Sequence, residues 1–351
     1  MEAIIKIADN IYSPLGISTA DNFKAVMSGI SGLKFYPDMF DNVEPFTASA
    51  MPVRMTFRQM CIESATRALQ QTDIDPSSDD VIFVFSTTKG EDLRLWEPSV
   101  AVARHFGNHN RPIIVSNACI SGVNAQIMAS RVLKAGLYKT AVVIGCDVLS
   151  KFIVSGFQSL KALSADKCLP FDKNRQGLNL GEAAACMVLS TVNGNYESKR
   201  WIYEAGSIHN DANHISGPSR TAEGSYRCLA DCLKNIDTAD LAFISVHGTG
   251  TAYNDEMESI ALHRVGLDSK PVVALKCYYG HTLGAAGVLE TLLSMQAIEH
   301  QEIPAALGFK EQGTTYNCML PTTKTNVKGN SFIKILSGFG GCNAAVRWVL
   351  R

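Results

Sequence analysis

The chain has 351 residues, 46% of them hydrophobic and 19% charged, with a formal net charge of −1. That length supports a large buried core, in one big domain or in two closely packed halves. The balanced charge, with no run of lysines or arginines, argues against a nucleic-acid-binding protein, which carries a basic face or stripe. The start, Met1-Glu2-Ala3-Ile4-Ile5-Lys6, lacks the basic region and long apolar stretch of a secretory signal. Apolar runs such as Val81-Ile82-Phe83-Val84-Phe85 are far too short to cross a bilayer. The expectation is a soluble cytoplasmic protein. Its ten cysteines include no CxxC pair, and Cys228 and Cys232 stand at a helical spacing beside no histidine cluster. They read as reduced and mostly buried, not as a disulfide framework or a zinc site.

Taken in chain order, the first predicted element of note is a helix over Arg58 to Gln71. It is followed by an apolar strand, Val81 to Ser86, that runs into Thr87-Thr88-Lys89-Gly90. A second strand, Pro112 to Val115, leads through a turn into a small-residue helix, Val123 to Ala135. The segment Gly181-Glu182-Ala183-Ala184-Ala185-Cys186-Met187-Val188 closes this series. The same series then recurs. A helix over Thr221 to Asn235 precedes the strand Leu241 to Val246, which runs into His247-Gly248-Thr249-Gly250. Lys270-Pro271-Val272-Val273-Ala274 leads to a helix over Ala285 to Ile298, and Gly341 to Trp348 echoes Gly181 to Val188. The matched segments lie 160 residues apart (81 to 241, 181 to 341), or 159 (111 to 270). A unit of this size is too long for a solenoid repeat. Continuously apolar strands alternating with helices indicate α/β layers whose sheets are buried on both faces. The chain therefore reads as two duplicated α/β halves, residues 1–193 and 194–351, joined near Asn193-Gly194-Asn195. No Pro/Ser-rich linker stands there, so the halves are expected to pack as one body.

Three places carry chemistry. Cys119, in Ser116-Asn117-Ala118-Cys119-Ile120-Ser121-Gly122, falls between a strand and a helix, where a sharp turn presents a side chain at a helix N-terminus. That position favours thiolate, although a buried structural cysteine fits the local sequence equally well. His247 stands at a strand end within Val246-His247-Gly248-Thr249-Gly250-Thr251. His281, in Gly280-His281-Thr282-Leu283-Gly284-Ala285-Ala286-Gly287, precedes a Gly/Ala-rich helix. Glycines there let a substrate approach the backbone. The other histidines (105, 109, 209, 214, 263 and 300) have no such setting and read as structural.

Ala118-Cys119-Ile120-Ser121-Gly122, Pro170-Phe171-Asp172-Lys173-Asn174-Arg175-Gln176-Gly177, Gly181-Glu182, His247-Gly248-Thr249-Gly250-Thr251, Lys276 with Gly280-His281, and Gly338-Phe339-Gly340-Gly341 occur in this order. Together, with Ser13-Pro14-Leu15-Gly16 near the start, they resemble the β-ketoacyl-acyl carrier protein synthase family, in its Cys-His-His branch. The resemblance covers nearly the whole chain. It implies a thiolase-like α/β fold, with mixed sheets sandwiching central helices, in agreement with the duplication. It implies that Cys119 carries an acyl group taken from a carrier-protein thioester, while His247 and His281 assist decarboxylation of a malonyl thioester. It implies an oxyanion hole formed by the backbone N–H groups of Cys119 and Phe339. Lys276 matches a buried lysine expected to pair with Glu290 and support His281. Thr249 and Thr251 match threonines that contact the phosphopantetheine arm, and Phe339 a gating aromatic beside the acyl pocket. Asn254-Asp255 and Glu258 match structural positions.

The chain departs from the family pattern in being shorter, chiefly before Cys119, which leaves the acyl pocket and chain-length preference open. Cys342 replaces a common threonine, and Ala183 a common glycine. Other readings of the site are hydrolysis or simple acyl transfer by a Cys-His pair, and a non-catalytic partner subunit, against which Cys119 itself argues. A Cys-His-Asn enzyme would want asparagine at His281. A plain thiolase would want a second catalytic cysteine near the C-terminus, for which Cys342 is a candidate only by composition. The expected partner is an acidic acyl carrier protein, docking on a local basic patch for which Arg54, Arg58 and Lys151 are candidates. A dimer is also expected, of two identical or two different chains. No metal or tightly bound organic cofactor is called for, since the phosphopantetheine belongs to the carrier.

Overall fold

The computed structural model describes residues 3–192, 199–211, 213–214, 217 and 219–351. The join expected at 193–195 lies outside the described residues. One ten-stranded mixed sheet runs through the molecule. From one edge its order is Ile113–Val115, Val81–Ser86, Thr140–Asp147, Ala183–Val192 and Ala3–Tyr12. It continues through Trp201–Asn210, Cys342–Leu350, Ser331–Gly338, Leu241–Ser245 and Val272–Val273. Read inward from either edge, the first five strands follow one order: third, second, fourth, fifth and first in their half. Their directions match too, with the three edge-side strands parallel and the next two pairings antiparallel in each half.

The halves meet where Ala3–Tyr12 pairs with Trp201–Asn210, through Ile5 opposite Ile202 and Lys6 opposite Trp201. Two equivalent pairs lie outside the constant offset seen in the sequence. They are Thr140–Asp147 with Ser331–Gly338, and Ala3–Tyr12 with Trp201–Asn210. The long irregular connection follows the fourth strand in the first half, at residues 148–179, but precedes it in the second, at residues 300–330. The sequence repeat therefore loses its register there.

Parallel neighbours require a crossover, and a helix supplies each one. The connection from Ile113–Val115 to Thr140–Asp147 is the helix Ser121–Lys134, and its counterpart in the second half is Ala286–Glu299. Both helices pack on strands of both halves and on each other, forming the centre of the molecule. Phe57–Leu69 and Trp96–His105 cover the outer face of the first half, as Glu223–Cys232 and Ala252–Arg264 cover that of the second. Thr56 and Gln59 form a reciprocal capping box that fixes the start of the Phe57–Leu69 helix.

The central helices approach so closely because both begin with small residues. A side-chain carbon at Gly122 would lie 2.8 Å from the Gly287 Cα, and one at Gly287 would strike the Val123 amide. One turn on, the buried Gln126 side chain donates to the Gly287 carbonyl (3.0 Å) and to Thr291 Oγ1 (3.2 Å), and accepts from Trp348 Nε1 (3.0 Å). Its polar atoms are thus satisfied within the core. Replacing Gly287 by Ala is expected to cost about 1–3 kcal/mol through overpacking. Gly156→Ala, at a helical position with open space around it, is expected to leave stability unchanged or slightly raised. Chemical denaturation of the two variants checks both outcomes.

Candidate active site

The C-terminal ends of the parallel strands open at one end of the sheet, where α/β proteins gather their functional groups. Cys119 lies between Ile113–Val115 and the first central helix. His281 lies in the equivalent place of the second half, between Val272–Val273 and the other central helix. His247 follows Leu241–Ser245. The Cys119 sulfur and the two imidazoles meet with their ligand-type atoms all within 4.8 Å of one another. The two rings stand 5.0 Å apart at 82°.

Each side chain is held by its backbone. Before Cys119, Ala118 takes φ +45°, a conformation few non-glycine residues adopt and one that makes the turn sharp enough to present the sulfur. Gly338, at the end of Ser331–Gly338, comes so near that a side chain there would lie 3.1 Å from the Cys119 amide and 2.9 Å from Cys342 Sγ. In the His247 loop, four successive amides are taken up by two buried carboxylates of the Ala252–Arg264 helix. His247 and Gly248 donate to Glu258 (2.6 and 2.7 Å), and Thr249 and Gly250 donate to Asp255 (3.0 and 3.1 Å).

His281 is clamped by the first half. Its amide donates to the Asn179 carbonyl (2.7 Å), and its carbonyl accepts from the Gly181 amide (3.0 Å). Gly181 has no alternative, because a side-chain carbon there would collide with the Tyr279 carbonyl. The Leu283 amide donates to His281 Nδ1 (3.3 Å), so the neutral ring carries its proton on Nε2. That nitrogen is buried with no protein partner among the described residues. It is a hydrogen-bond donor waiting for an acceptor.

Lys276 is fully buried and donates to Glu290 Oε1 (2.7 Å), as the resemblance implied. Its backbone contact, however, is with the His247 carbonyl (2.8 Å) and not with the ring of His281. Thr249 and Thr251 line the cavity with their hydroxyls 2.8 Å apart. Phe339 stands 38% exposed at the mouth, stacked on Phe157 at 5.8 Å. The cavity measures about 390 Å³ and opens from Cys119, His247 and His281 past Thr249, Thr251 and Phe339 to solvent.

Burial governs the protonation of the site. It pushes the Cys119 thiol up to about 12, further raised by Cys342; Lys276 and the amides of Phe339 and of Cys119 itself only partly offset the rise. The sulfur rests as a thiol, and the helix terminus does not overcome desolvation. Burial lowers both imidazoles far below their usual range, and the positive charges of Lys276 and Lys334 push the same way. Both rings are neutral at physiological pH, and a neutral imidazole donates through one of its two nitrogens.

Several supporting residues escape a motif-by-motif reading. Arg175, within the Pro170–Gly177 motif, binds the carbonyls of Asp172, Thr251, Ala252 and Gly313 and so walls the cavity. Asp147 ends Thr140–Asp147 and accepts from the Gly284 amide (2.8 Å), holding the loop that follows His281. Lys334 lies mid-strand in an apolar run. Among the suggested docking residues, Arg58 is engaged by Glu91 and Arg54 lies over the Phe40 ring. Lys151 is exposed at the start of the helix that carries Phe157 to the mouth.

Residues 96–194 match the N-terminal domain of beta-ketoacyl synthase, and residues 201–310 match its C-terminal domain. The chain belongs to the β-ketoacyl synthase family. It is 29% identical over 274 residues to a 3-oxoacyl-[acyl-carrier-protein] synthase 2 of Rhizobium meliloti, an alignment covering 73% of this chain and 64% of that protein. It is also 29% identical over 263 residues to the tetracenomycin polyketide synthase ketoacyl synthase alpha subunit of Streptomyces glaucescens, covering 70% and 61%. The chain thus spans under two thirds of the length of these curated relatives. In three dimensions it resembles a ketosynthase in complex with its chain length factor from Xenorhabdus doucetiae. The TM-score is 0.91 at 23% identity, over 100% of this chain and 98% of that one. That likeness gives the thiolase-like fold shared by these ketosynthases.

A thiol held near 12 predicts how Cys119 meets an alkylating agent. Because the thiolate is the nucleophile, iodoacetamide labelling of Cys119 should be slow at pH 7. It should climb about tenfold per pH unit to pH 10, with no plateau near the ordinary thiol value of about 8.5. Peptide mass mapping, with Cys119→Ala as control, reads the rate.

Proposed function

We propose that this chain is a β-ketoacyl-acyl carrier protein synthase that carries out decarboxylative condensation. The observation supporting this reading is the convergence of one thiol and two neutral imidazoles, one of them locked as an Nε2–H donor, at the floor of an open cavity. Hydrolysis or simple transfer needs a base for water or thiol; it has no use for two neutral donors side by side.

In the first step the Cys119 sulfur attacks the carbonyl carbon of an acyl-carrier thioester. Its proton passes to the departing carrier thiol, and an acyl-enzyme forms. A malonyl-carrier thioester then enters along Thr249 and Thr251. Its carboxylate leaves as carbon dioxide, and the electron pair of the broken carbon–carbon bond moves into the thioester as an enolate. His247 and His281 donate hydrogen bonds to the enolate oxygen. The enolate carbon attacks the acyl carbonyl on Cys119. The resulting oxyanion accepts from the amides of Cys119 and Phe339, and collapse expels the Cys119 thiolate, which takes up a proton from solvent.

The carrier brings the phosphopantetheine, so the enzyme itself needs no metal or organic cofactor. Lys161 on the cavity wall, and Lys151 at the start of the helix that carries Phe157, are both exposed and suit an acidic carrier surface. The Xenorhabdus structure is a ketosynthase with its chain length factor, and this chain is proposed to act as a dimer. Cys119 makes it the condensing subunit whether its partner is identical or different. Among the described residues no helix is long and apolar enough to cross a membrane.

Intact-mass spectrometry with a panel of acyl-carrier thioesters tests the first step. The expected outcome is an acyl adduct on the native protein and none on Cys119→Ala. His281→Ala should still take up the acyl group but release carbon dioxide from malonyl-carrier about 10²–10³-fold more slowly, the usual cost of one lost oxyanion donor. Release of the adduct only as free acid would instead make the chain a hydrolase.

A further inference from the structure

Two lysines, not one, converge on Glu290. Lys276 reaches Oε1 at 2.7 Å, and Lys334, from the middle of Ser331–Gly338, reaches Oε2 at 2.5 Å. Both lysines are wholly buried. Lys334 also donates to the Val246 carbonyl (2.6 Å) and the Ser245 carbonyl (3.3 Å), while Lys276 donates to the next carbonyl, that of His247 (2.8 Å). Three successive carbonyls at the end of one strand are thus held by two ammonium groups. Both groups are anchored to one carboxylate of the second central helix, the helix that follows His281.

The His247 amide is held from the other side by Glu258. A buried cation in mid-strand is costly unless paired and fully hydrogen-bonded, and apolar residues often replace such groups with no loss of stability. A second lysine is not needed to balance Glu290, since Lys276 alone does so. The charged groups facing Lys334 are Glu290, Lys276 and Glu258, and both lysines face the two imidazoles.

We propose that Lys334 is a second positioning lysine of the condensing site, tying the strand end that bears His247 to the helix that follows His281. This inference rests on the condensing reading of the same site. The order of events it supports is clear. Acyl uptake uses the Cys119 turn and does not call on Lys334, whereas enolate formation depends on the two rings and so does.

The test compares the full chain with three variants. Lys334→Met removes both the charge and the hydrogen bonds, Lys334→Gln keeps a donor but no charge, and Lys334→Arg keeps the charge. Acylation of Cys119 is read by intact mass, and carbon dioxide release from malonyl-carrier is followed from pH 5.5 to 8.5. The C2 proton signals of His247 and His281 are read by NMR of histidine-labelled protein, with His247→Gln for assignment. The expected result is that Lys334→Met and Lys334→Gln acylate within about twofold of the native rate. Their decarboxylation should fall at least about tenfold across the range, because the His247 donor is no longer held in its productive place. The His247 ring signal should shift in both uncharged variants, and Lys334→Arg should restore the native rate and signal.

Three results would overturn the proposal: decarboxylation rate and His247 ring signal unmoved in a folded Lys334→Met; equal losses of acylation and decarboxylation at every pH; or failure of both uncharged variants to fold, which would make Lys334 a purely structural residue. If the native protein releases no carbon dioxide at all, the condensing reading fails. The His247 ring signal then still decides whether Lys334 fixes the place of that imidazole.

Discussion

The close contact of Gly122 with Gly287 is the constraint on which the site depends. Each central helix begins just after a residue that matters: Cys119 before Ser121–Lys134, and His281 before Ala286–Glu299. Bringing the two helix starts to backbone distance brings the thiol and the imidazole together. Any side chain at the crossing would separate them. The polar link made by Gln126 one turn further on fixes the rotation of one helix against the other, so the contact sets an orientation as well as a distance. Packed interiors tolerate little adjustment at such points.

Around this crossing, the polar groups of the site are arranged by charge. The His247 loop has four amides directed at Glu258 and Asp255, and the carbonyls just before the loop are directed at Lys276 and Lys334. The backbone is therefore gripped from its donor side by carboxylates and from its acceptor side by ammonium groups. Buried ion pairs contribute little net stability but are severely destabilising when broken. Their effect here is to leave His247 one position to occupy. His281 reaches the same end by neutral means, through hydrogen bonds to residues 179–181 of the other half and the Leu283 amide on its ring.

The charge state that results differs from a local reading of the nucleophile. A cysteine at a helix start suggests a standing thiolate, yet the surroundings of Cys119 are dry enough to keep it a thiol. A neutral thiol beside two neutral imidazoles is a resting site with no net charge on its reacting groups. Charge then appears only as bonds change, and it appears where donors already point.

The sequence alone singled out Cys119, His247 and His281 as chemistry-bearing residues, because each sits in a short glycine-bearing motif beside a strand end or a helix start, and such local signals survive without a structure. It also determined the duplication wherever the spacing of the halves is constant, from the Val81–Ser86 and Leu241–Ser245 strands to the matched central helices. It could not show the equivalence of Thr140–Asp147 with Ser331–Gly338, since a long connection stands on opposite sides of that strand in the two halves. Nor could it direct Lys276 to the carbonyl of His247, or pick out Arg175, Asp147 and Lys334 as supports. A lysine inside Phe332-Ile333-Lys334-Ile335-Leu336 carries no mark of its partner in the sequence. Glu290 lies on another element and Val246 just past the end of a neighbouring strand, and only the folded chain, by withdrawing all three from water, makes their pairing obligatory.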